Sequence, residues 1–376
     1  MLRSIFLLVA ALVVVVLPSE ALQLAPLLST CVDACQRGCV EIRKVQRDRI
    51  NNIYGGEDSV GLEYKDDEDS RSALTRADLA AQEAIIGSLR AQWGAELNIV
   101  GEEDGNEQLE QENKGQYEPL KLDMFEDDIG ETPELDPSAV TIFVDPLDGT
   151  REFVEGRLEN CQVLVGIAID GEAVAGAIGL PFPTGQLEGD NDDEENESTI
   201  IYGLADIGTG TIGKTLTRGP FPLNKYVNAL KYPPPHYATG DSPVPVMRES
   251  VEGIIGRYGG SNVVYGGAGN KILGAALGEV ACSIQHKYGG PWDLCAPEAI
   301  LKAMGGRLTD LFGKDIDIYR KDAPSNCNER GYIATGSGSD HDALVEALSE
   351  MSIIQDYKEK VQKEETEGKV LVQSTE

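Results

Sequence analysis

Basic residues are scarce in this 376-residue chain: 32 Lys and Arg stand against 64 Asp and Glu, for a net charge of −32. A surface of that sign repels phosphodiester backbones, which excludes a nucleic-acid polymer as partner. Histidine is scarcer still. The three present (His236, His286, His341) fall in no triad or metal-ligating spacing, and no Gly-x-Ser-x-Gly elbow occurs, so serine-nucleophile chemistry has no support. The seven cysteines include no Cys-x-x-Cys pair. Cys31, Cys35 and Cys39 recur every four residues, the spacing of one helix face. Small packed thiols explain that stripe better than zinc ligation, and side chains on one helix face do not converge for a disulfide. Long apolar runs are also missing: residues 5–17 are thirteen apolar residues, where a membrane span needs roughly 20. Behind Arg3 this run reads as the core of a signal peptide over residues 1–22, with an uncleaved membrane anchor through residues 5–17 as the alternative. Either would place the folded part in the lumen of the secretory pathway (ER or Golgi), in an organelle reached through it, or outside.

What remains is an ordinary globular composition, 41% hydrophobic and 26% charged. Helical periodicity covers residues 25–48 and a second stretch from Thr75 or Asp78, with Leu79, Ile86, Leu89 and Trp93 on one face. Strands are expected at 97–100, 139–144, 161–169, 172–180 and 199–204, with Asp170-Gly171 as a hairpin turn. Residues 55–72 and 105–137 read as polar, acidic excursions. Residues 186–198 hold seven carboxylates and read as a solvated loop; Asn196-Glu197-Ser198 within it is a glycosylation acceptor. Beyond a proline-rich crossing (Pro220, Pro222, Pro233–Pro235) the pattern alternates: strand 263–265, helix from about Lys271, strand 280–284, helix through Pro297 to Met304, strand 307–311, helix from about His341. Alternation of this kind implies an α/β layered fold. The chain divides into an N-terminal half at 23–204, a C-terminal half at 205–355 and a polar tail at 356–376.

Chemistry concentrates in Val144-Asp145-Pro146-Leu147-Asp148-Gly149-Thr150. A hydrophobic strand delivers two carboxylates three residues apart, Pro146 fixes the backbone between them and Gly149 permits a tight turn. Both carboxylates and the Leu147 carbonyl offer the oxygen set that hard cations such as magnesium take; an Asp-rich turn is the plain alternative. Glu102 and Glu103 also follow a short apolar strand, and Asp78 and Asp293 stand at helix starts, where capping would explain them equally well. Gathered together, such groups repel unless cations intervene. Gly266-Gly267-Ala268-Gly269-Asn270-Lys271 opens a helix after a strand, where backbone amides and Lys271 can hold an anion or the glycines can simply pack. The stretch Gly208 to Thr215 matches G-x-x-x-x-G-K-T, but Leu216 to Pro222 cannot continue as the helix that a nucleotide-binding loop requires, so a turn between strands is expected instead.

On these motifs the chain resembles the lithium-sensitive, magnesium-dependent phosphatases of the inositol monophosphatase superfamily. The matching stretches are Leu74 to Gln82, Ile99 to Asp104, Val144 to Gly156, Gly266 to Ile272 and Trp292 to Glu298, and the likeness extends over roughly residues 25–350. Gly-Gly-Ala-Gly-Asn-Lys together with Trp-Asp-x-Cys-Ala-Pro-Glu points to the 3'(2'),5'-bisphosphate nucleotidase branch. The resemblance implies an αβαβα sandwich of the inositol monophosphatase/fructose-bisphosphatase type and two or three Mg2+ ions held by Glu102, Asp145, Asp148, Asp293 and the Leu147 carbonyl. It implies that Asp78 and Thr150 orient and deprotonate the attacking water, with Glu103 a nearby carboxylate. Gly149 and Thr150 would offer amides to the phosphate, and Gly267 and Lys271 would contact the substrate. The substrate so implied is a small phosphorylated metabolite, adenosine 3',5'-bisphosphate, cleaved to AMP and phosphate; an inositol phosphate is the alternative, and an idle lumenal binding protein is the reading from another class. Ala238 to Ser242 stands where that branch usually carries a basic residue and a histidine, and it has neither.

Overall fold

The computed structural model describes residues 22–51, 53, 61–64, 73–95, 97–103, 117–125, 129, 132–189, 197–205, 207–216, 235–242, 244–320 and 327–373. The apolar run at 5–17, Asn196 of the glycosylation acceptor and most of the acidic excursion at 105–137 lie outside these residues. No helix among them is long and apolar enough to cross a membrane.

The outer layer is a pair of helices, α1 (Leu24–Ile50) and α2 (Arg76–Trp93). Both are amphipathic, and the buried face of α1 runs through Leu27, Leu28, Cys31, Val32, Cys35, Cys39 and Ile42. The cysteine stripe has a packing explanation. A Cβ added at Gly179 would strike the sulfurs of Cys35 and Cys39, so small thiols sit against a bare strand backbone. On α2 the inner face is Ala77, Ala81, Ile85, Ile86 and Leu89, whereas Leu79, expected on that face, is 49% exposed. Capping sets this register. Thr75 and Asp78 form a reciprocal cap that fixes where the helix begins and turns Leu79 outward.

Beneath these helices lies a six-stranded sheet in the order β3-β4-β5-β6-β7-β8, formed by Asn98–Gly101, Val140–Asp148, Gln162–Ile169, Glu172–Leu180, Thr199–Leu204 and Gly208–Gly213. A separate two-residue pair, β1 (Glu63–Tyr64) and β2 (Ala73–Leu74), stands apart from it. β5 and β6 join through Asp170 (φ 52°) and Gly171 (φ 84°), both left-handed, as a tight hairpin of this twist requires. The nucleotide-loop look-alike is strand β8 itself, the sheet's edge, paired antiparallel to β7, and not a turn. The sheet therefore extends past residue 204, and the expected boundary at 204/205 falls inside it.

The sheet's other face carries α5 (Ala268–Ala276) and α6 (Pro291–Ala303). A second sheet follows, in the order β10-β9-β11-β13-β12, from Ser261–Val264, His236–Thr239, Cys282–Gln285, Tyr332–Thr335 and Arg307–Thr309. The last layer is α4 (Pro245–Tyr258), α7 (His341–Ser349) and α8 (Ser352–Gln373). A short helix, α3 (Thr150–Glu155), follows β4 directly. The result is the layered αβαβα arrangement. Residues 356–373, expected as a polar tail, continue helix α8. It buries Ile354 and Val361, and the Tyr357 hydroxyl donates to the His286 carbonyl.

Helix α6 lies close enough to the first sheet to demand glycine. Gly166 and Gly176 face each other across β5 and β6, and a Cβ at Gly176 would lie 2.7 Å from the Ala296 Cα. Backbone cannot retreat from such a contact as a flexible side chain can. Gly176→Val is expected to cost about 3 kcal/mol of stability, measured as the shift in denaturant midpoint; an unchanged midpoint would contradict the packing described.

Candidate active site

Two carboxylates three residues apart on a regular strand point to opposite faces. Strand β4 avoids this with a bulge. Asp145 pairs with Leu164 but Asp148 pairs with Gln162, so three steps on one strand match two on the other. The extra residue brings Asp148 back to the side of Asp145. The parallel register of β3 on β4 does the rest. Gly101 pairs with Val144, and the Glu102 amide donates to the Val144 carbonyl at 3.0 Å, which sets Glu102 beside Asp145. The fourth carboxylate, Asp293, comes from the first turn of α6, where it also accepts from the Gly290 amide at 2.6 Å. Capping and clustering are thus both true of Asp293.

Oxygen atoms of Asp145, Asp148 and Asp293 lie within 4.8 Å of one another. Burial first, then the charges of Glu102, Asp148 and Asp293, push the Asp145 carboxyl well above the ordinary carboxylate range. Burial and the charges of Glu102 and Asp148 raise Asp293 likewise. Asp148 is pushed up only to about 6, because burial is opposed by Lys271 and by the amides of Ala268 and Asn270. This is an all-oxygen donor set with more negative charge than the protein itself balances, and Leu147 lines the same cavity. Such a set suits a hard divalent cation, and the residues fit magnesium.

A proton-holding pair stands behind it. Thr150 Oγ1 donates to Asp78 Oδ1 at 2.8 Å and lies 3.1 Å from the Leu147 carbonyl. Asp78 Oδ2 accepts from the Thr75 amide at 2.8 Å and the Thr75 hydroxyl at 2.6 Å. Burial lifts the Asp78 carboxyl to about 7, against the hydrogen bonds of Thr75 and Thr150; the nearby charge of Glu103 adds to the rise. Asp78 and Glu103 do not line the cavity; Thr150 does. Glu103 is buried, and its backbone is held by Gln82, which accepts from its amide at 3.1 Å and donates to its carbonyl at 3.0 Å.

The glycine-rich turn holds an anion, as expected, but one of the protein's own. Asp148 accepts from the Ala268 amide at 2.8 Å and the Asn270 amide at 3.3 Å, at the start of α5. Gly267 (φ 75°) has no room for a side chain, since a Cβ would lie 2.5 Å from Asp148 Oδ2. Lys271 is 3% exposed and donates to the carbonyls of Gly267 and Tyr265. Both residues line the cavity, yet their strongest contacts are to the chain itself. Gly149 (φ 91°) makes the turn from β4 into α3.

The cavity, of about 350 Å3, includes further residues that sequence reading passed over. Arg151 and Glu152 follow the central motif directly and could have been noted from adjacency alone. Glu152 accepts from Arg157 at 2.6 Å and from Asn160 at 2.8 Å, bracing the turn. Met247, Tyr265 and His286 arrive from three separate elements of the second half, and no local pattern marks them. His341 lies elsewhere, buried between Thr309 and Thr335, and burial holds its imidazole down to about 4.

With this geometry established, the relatives of the chain are informative. The family model described as "Inositol monophosphatase family" matches residues 25–227 and 236–352. A curated relative, 3'(2'),5'-bisphosphate nucleotidase 1 of Dictyostelium discoideum, is 32% identical over 316 residues, covering 82% of this chain and 94% of its own. The Homo sapiens protein of the same name is 32% identical over 265 residues, covering 69% and 78%. Among solved structures, inositol monophosphatase II from Staphylococcus aureus superposes with a TM-score of 0.55 at 18% identity, covering 89% of this chain and 95% of that one; at that identity the likeness concerns the fold.

The carboxylate cluster makes a test possible without turnover. A carboxyl raised in the folded state stabilises the fold at low pH and costs stability as pH rises through its folded pKa. In chelator, the melting temperature should therefore fall between pH 5 and pH 8. Asp145→Asn should lessen that fall, and magnesium should stabilise the wild type but not the variant. A variant less stable than wild type at pH 8 in chelator would contradict the repulsion.

Proposed function

The chain belongs to the inositol monophosphatase family, and from that membership we propose that it is a magnesium-dependent phosphatase that releases the 3'-phosphate of adenosine 3',5'-bisphosphate, giving AMP and phosphate. One observation supports this above the rest: a tight carboxylate cluster, with Asp145 and Asp148 buried and Asp293 half-buried, shares one motif with Thr150, whose hydroxyl donates to a further buried carboxylate able to take a proton near neutral pH.

Glu102, Asp145, Asp148, Asp293 and the Leu147 carbonyl would hold the magnesium, which would supply positive charge for the phosphate and a more acidic water. The protein's own part is positioning and proton handling. Thr150 accepts the water's proton at Oγ1 as it passes its own to Asp78 Oδ1, 2.8 Å away. Asp78 suits this role because burial holds its carboxyl at about 7, while Thr75 fixes the other oxygen so that Oδ1 faces Thr150. Gly149 and Thr150 stand at the start of α3, where amides have no helical acceptor and can receive phosphate oxygens. Met247 and Tyr265, a thioether and an aromatic residue, also line the cavity. Such surfaces suit a nucleobase better than the hydroxyl-lined ring of an inositol. The nucleotidase names of the 32%-identical relatives favour the same choice. We read residues 1–22 as the signal or anchor that carries the enzyme into a secretory lumen, on the strength of Arg3 and the apolar run behind it.

Full-length protein assayed with magnesium should release phosphate from adenosine 3',5'-bisphosphate faster than from inositol 1-phosphate, and lithium should inhibit it. Asp148→Asn should abolish turnover with the fold intact. Thr150→Val should lower kcat about 100-fold or more with little change in KM. Preference for the inositol ester would favour an inositol phosphate phosphatase of the same fold, and a fully active Thr150→Val enzyme would remove the relay.

A further inference from the structure

A bisphosphate carries two anionic groups, and the assignments above account for one. The second phosphate needs a cation of its own in a protein whose net charge is −32. The cationic side chains lining the cavity are Arg151, Lys271 and Lys287. Lys271 is buried under the glycine-rich turn, donating to the carbonyls of Gly267 and Tyr265 beside Asp148. Lys287 pairs with Glu329 at 3.4 Å. Arg151 is placed differently. It follows Thr150 in the first turn of α3, and its side chain is 34% exposed at the cavity.

Its present partners are two carboxylates. Nε donates to Glu155 Oε1 at 2.7 Å, within α3, and Nη1 donates to Asp241 Oδ2 at 2.7 Å. Asp241 belongs to the loop after β9, so this second pair crosses the cavity from the first sheet's side to the second sheet's. Asp241 is 54% exposed at its side chain, and an ion pair so open to water holds weakly. Nη2 of Arg151 makes no bond among the described residues. On the same loop the Ser242 hydroxyl is shielded from solvent and has no hydrogen-bond partner among the described residues. A planar guanidinium with unused N–H groups, an exchangeable carboxylate and an unpaired hydroxyl all line one cavity beside the expected phosphate site. A phosphate dianion matches a guanidinium in two-pronged geometry and carries more charge than the carboxylate now bound.

We propose that Arg151 is the specificity residue for the substrate's second phosphate, exchanging Asp241 for it when substrate binds, with Ser242 donating to the same group. The proposal rests on the nucleotidase reading and extends it. It explains how a segment lacking both a basic residue and a histidine, Ala238 to Ser242, can still border a second phosphate: the charge comes from the opposite wall.

The test compares adenosine 3',5'-bisphosphate with adenosine 3'-monophosphate, which share the scissile ester, on full-length enzyme with magnesium. The wild type should prefer the bisphosphate. Arg151→Gln should cut that preference about tenfold or more, chiefly through KM, the scale of one lost charge-assisted pair, and Arg151→Lys should restore part of it. Asp241→Asn should lower KM for the bisphosphate several-fold, because Arg151 no longer has to leave a carboxylate. Equal losses on both substrates in Arg151→Gln would assign Arg151 to the scissile phosphate or the fold and overturn the inference. A raised KM in Asp241→Asn would make Asp241 a support for Arg151 and overturn the exchange. A wild type with no preference for the bisphosphate would overturn the nucleotidase reading itself, and this inference with it.

Discussion

The structure depends on holding like charges together. Asp145, Asp148 and Asp293 approach within 4.8 Å with Glu102 alongside, inside the protein, where repulsion is least screened. No local feature of the chain favours that arrangement. It is imposed by the layers around it: the β4 bulge, the parallel β3–β4 register and the close seating of α6 on Gly166 and Gly176. The core of the sandwich opposes the repulsion, and a bound cation would relieve it. Binding and folding are therefore linked through the same four side chains.

The glycine-rich turn shows how narrow the compensation is. Three groups oppose the charge of Asp148: the amides of Ala268 and Asn270 and the Lys271 ammonium. Asp145 and Asp293 do not receive those two amides, and burial with the neighbouring carboxylates raises both well above the ordinary range. A gradient results, with a carboxylate already paired by the protein at one end and ones needing an external cation at the other. Asp78 is a separate case. Its carboxyl is raised chiefly by burial, its hydrogen bonds favour the charged form, and the two effects leave it near neutrality.

Much of this was legible in the sequence, and the exceptions have physical reasons. Asp145, Asp148 and Thr150 stand in one motif whose chemistry follows from residue type and spacing, and Asp170-Gly171 announced its hairpin through the only conformation that turn admits. Glu102 and Asp293 were candidates because each ends or begins an element, but only the sheet register and helix packing could bring them together. Leu79 misled because hydrophobic spacing alone allows two phases for α2, and the Thr75–Asp78 cap chooses between them. Strand β8 was missed because glycine and threonine alternate there as readily in a turn, and helix α8 because, among its residues whose burial is described, Ile354 and Val361 alone are fully buried. Helix α4 and strand β13 were not anticipated: one begins at Pro245 in a proline-rich crossing, and the other is a four-residue apolar strand, Tyr332–Thr335. The glycine-rich turn was legible as an anion holder, but a sequence motif cannot say that Asp148 of the same chain is one anion its amides meet.

The acidic surface and the anionic substrate pose one problem at two scales. Over the whole molecule, an excess of 32 negative charges slows the approach of any phosphate ester. Within the cavity, Arg151, Lys271 and Lys287 stand against Glu102, Asp145, Asp148, Glu152, Asp241 and Asp293, so the protein alone does not reverse the sign there either. Divalent ions can reverse it at the scissile phosphate, but their effect is local. Attraction for the other end of the substrate must come from a side chain able to release its present partner, and a half-exposed ion pair spanning the cavity supplies one without leaving a buried charge unpaired in the empty protein. On this view the exposure of the Arg151–Asp241 pair matters for function: a buried pair would hold Arg151 too firmly to be exchanged, and a lone arginine would cost selectivity by accepting any passing anion.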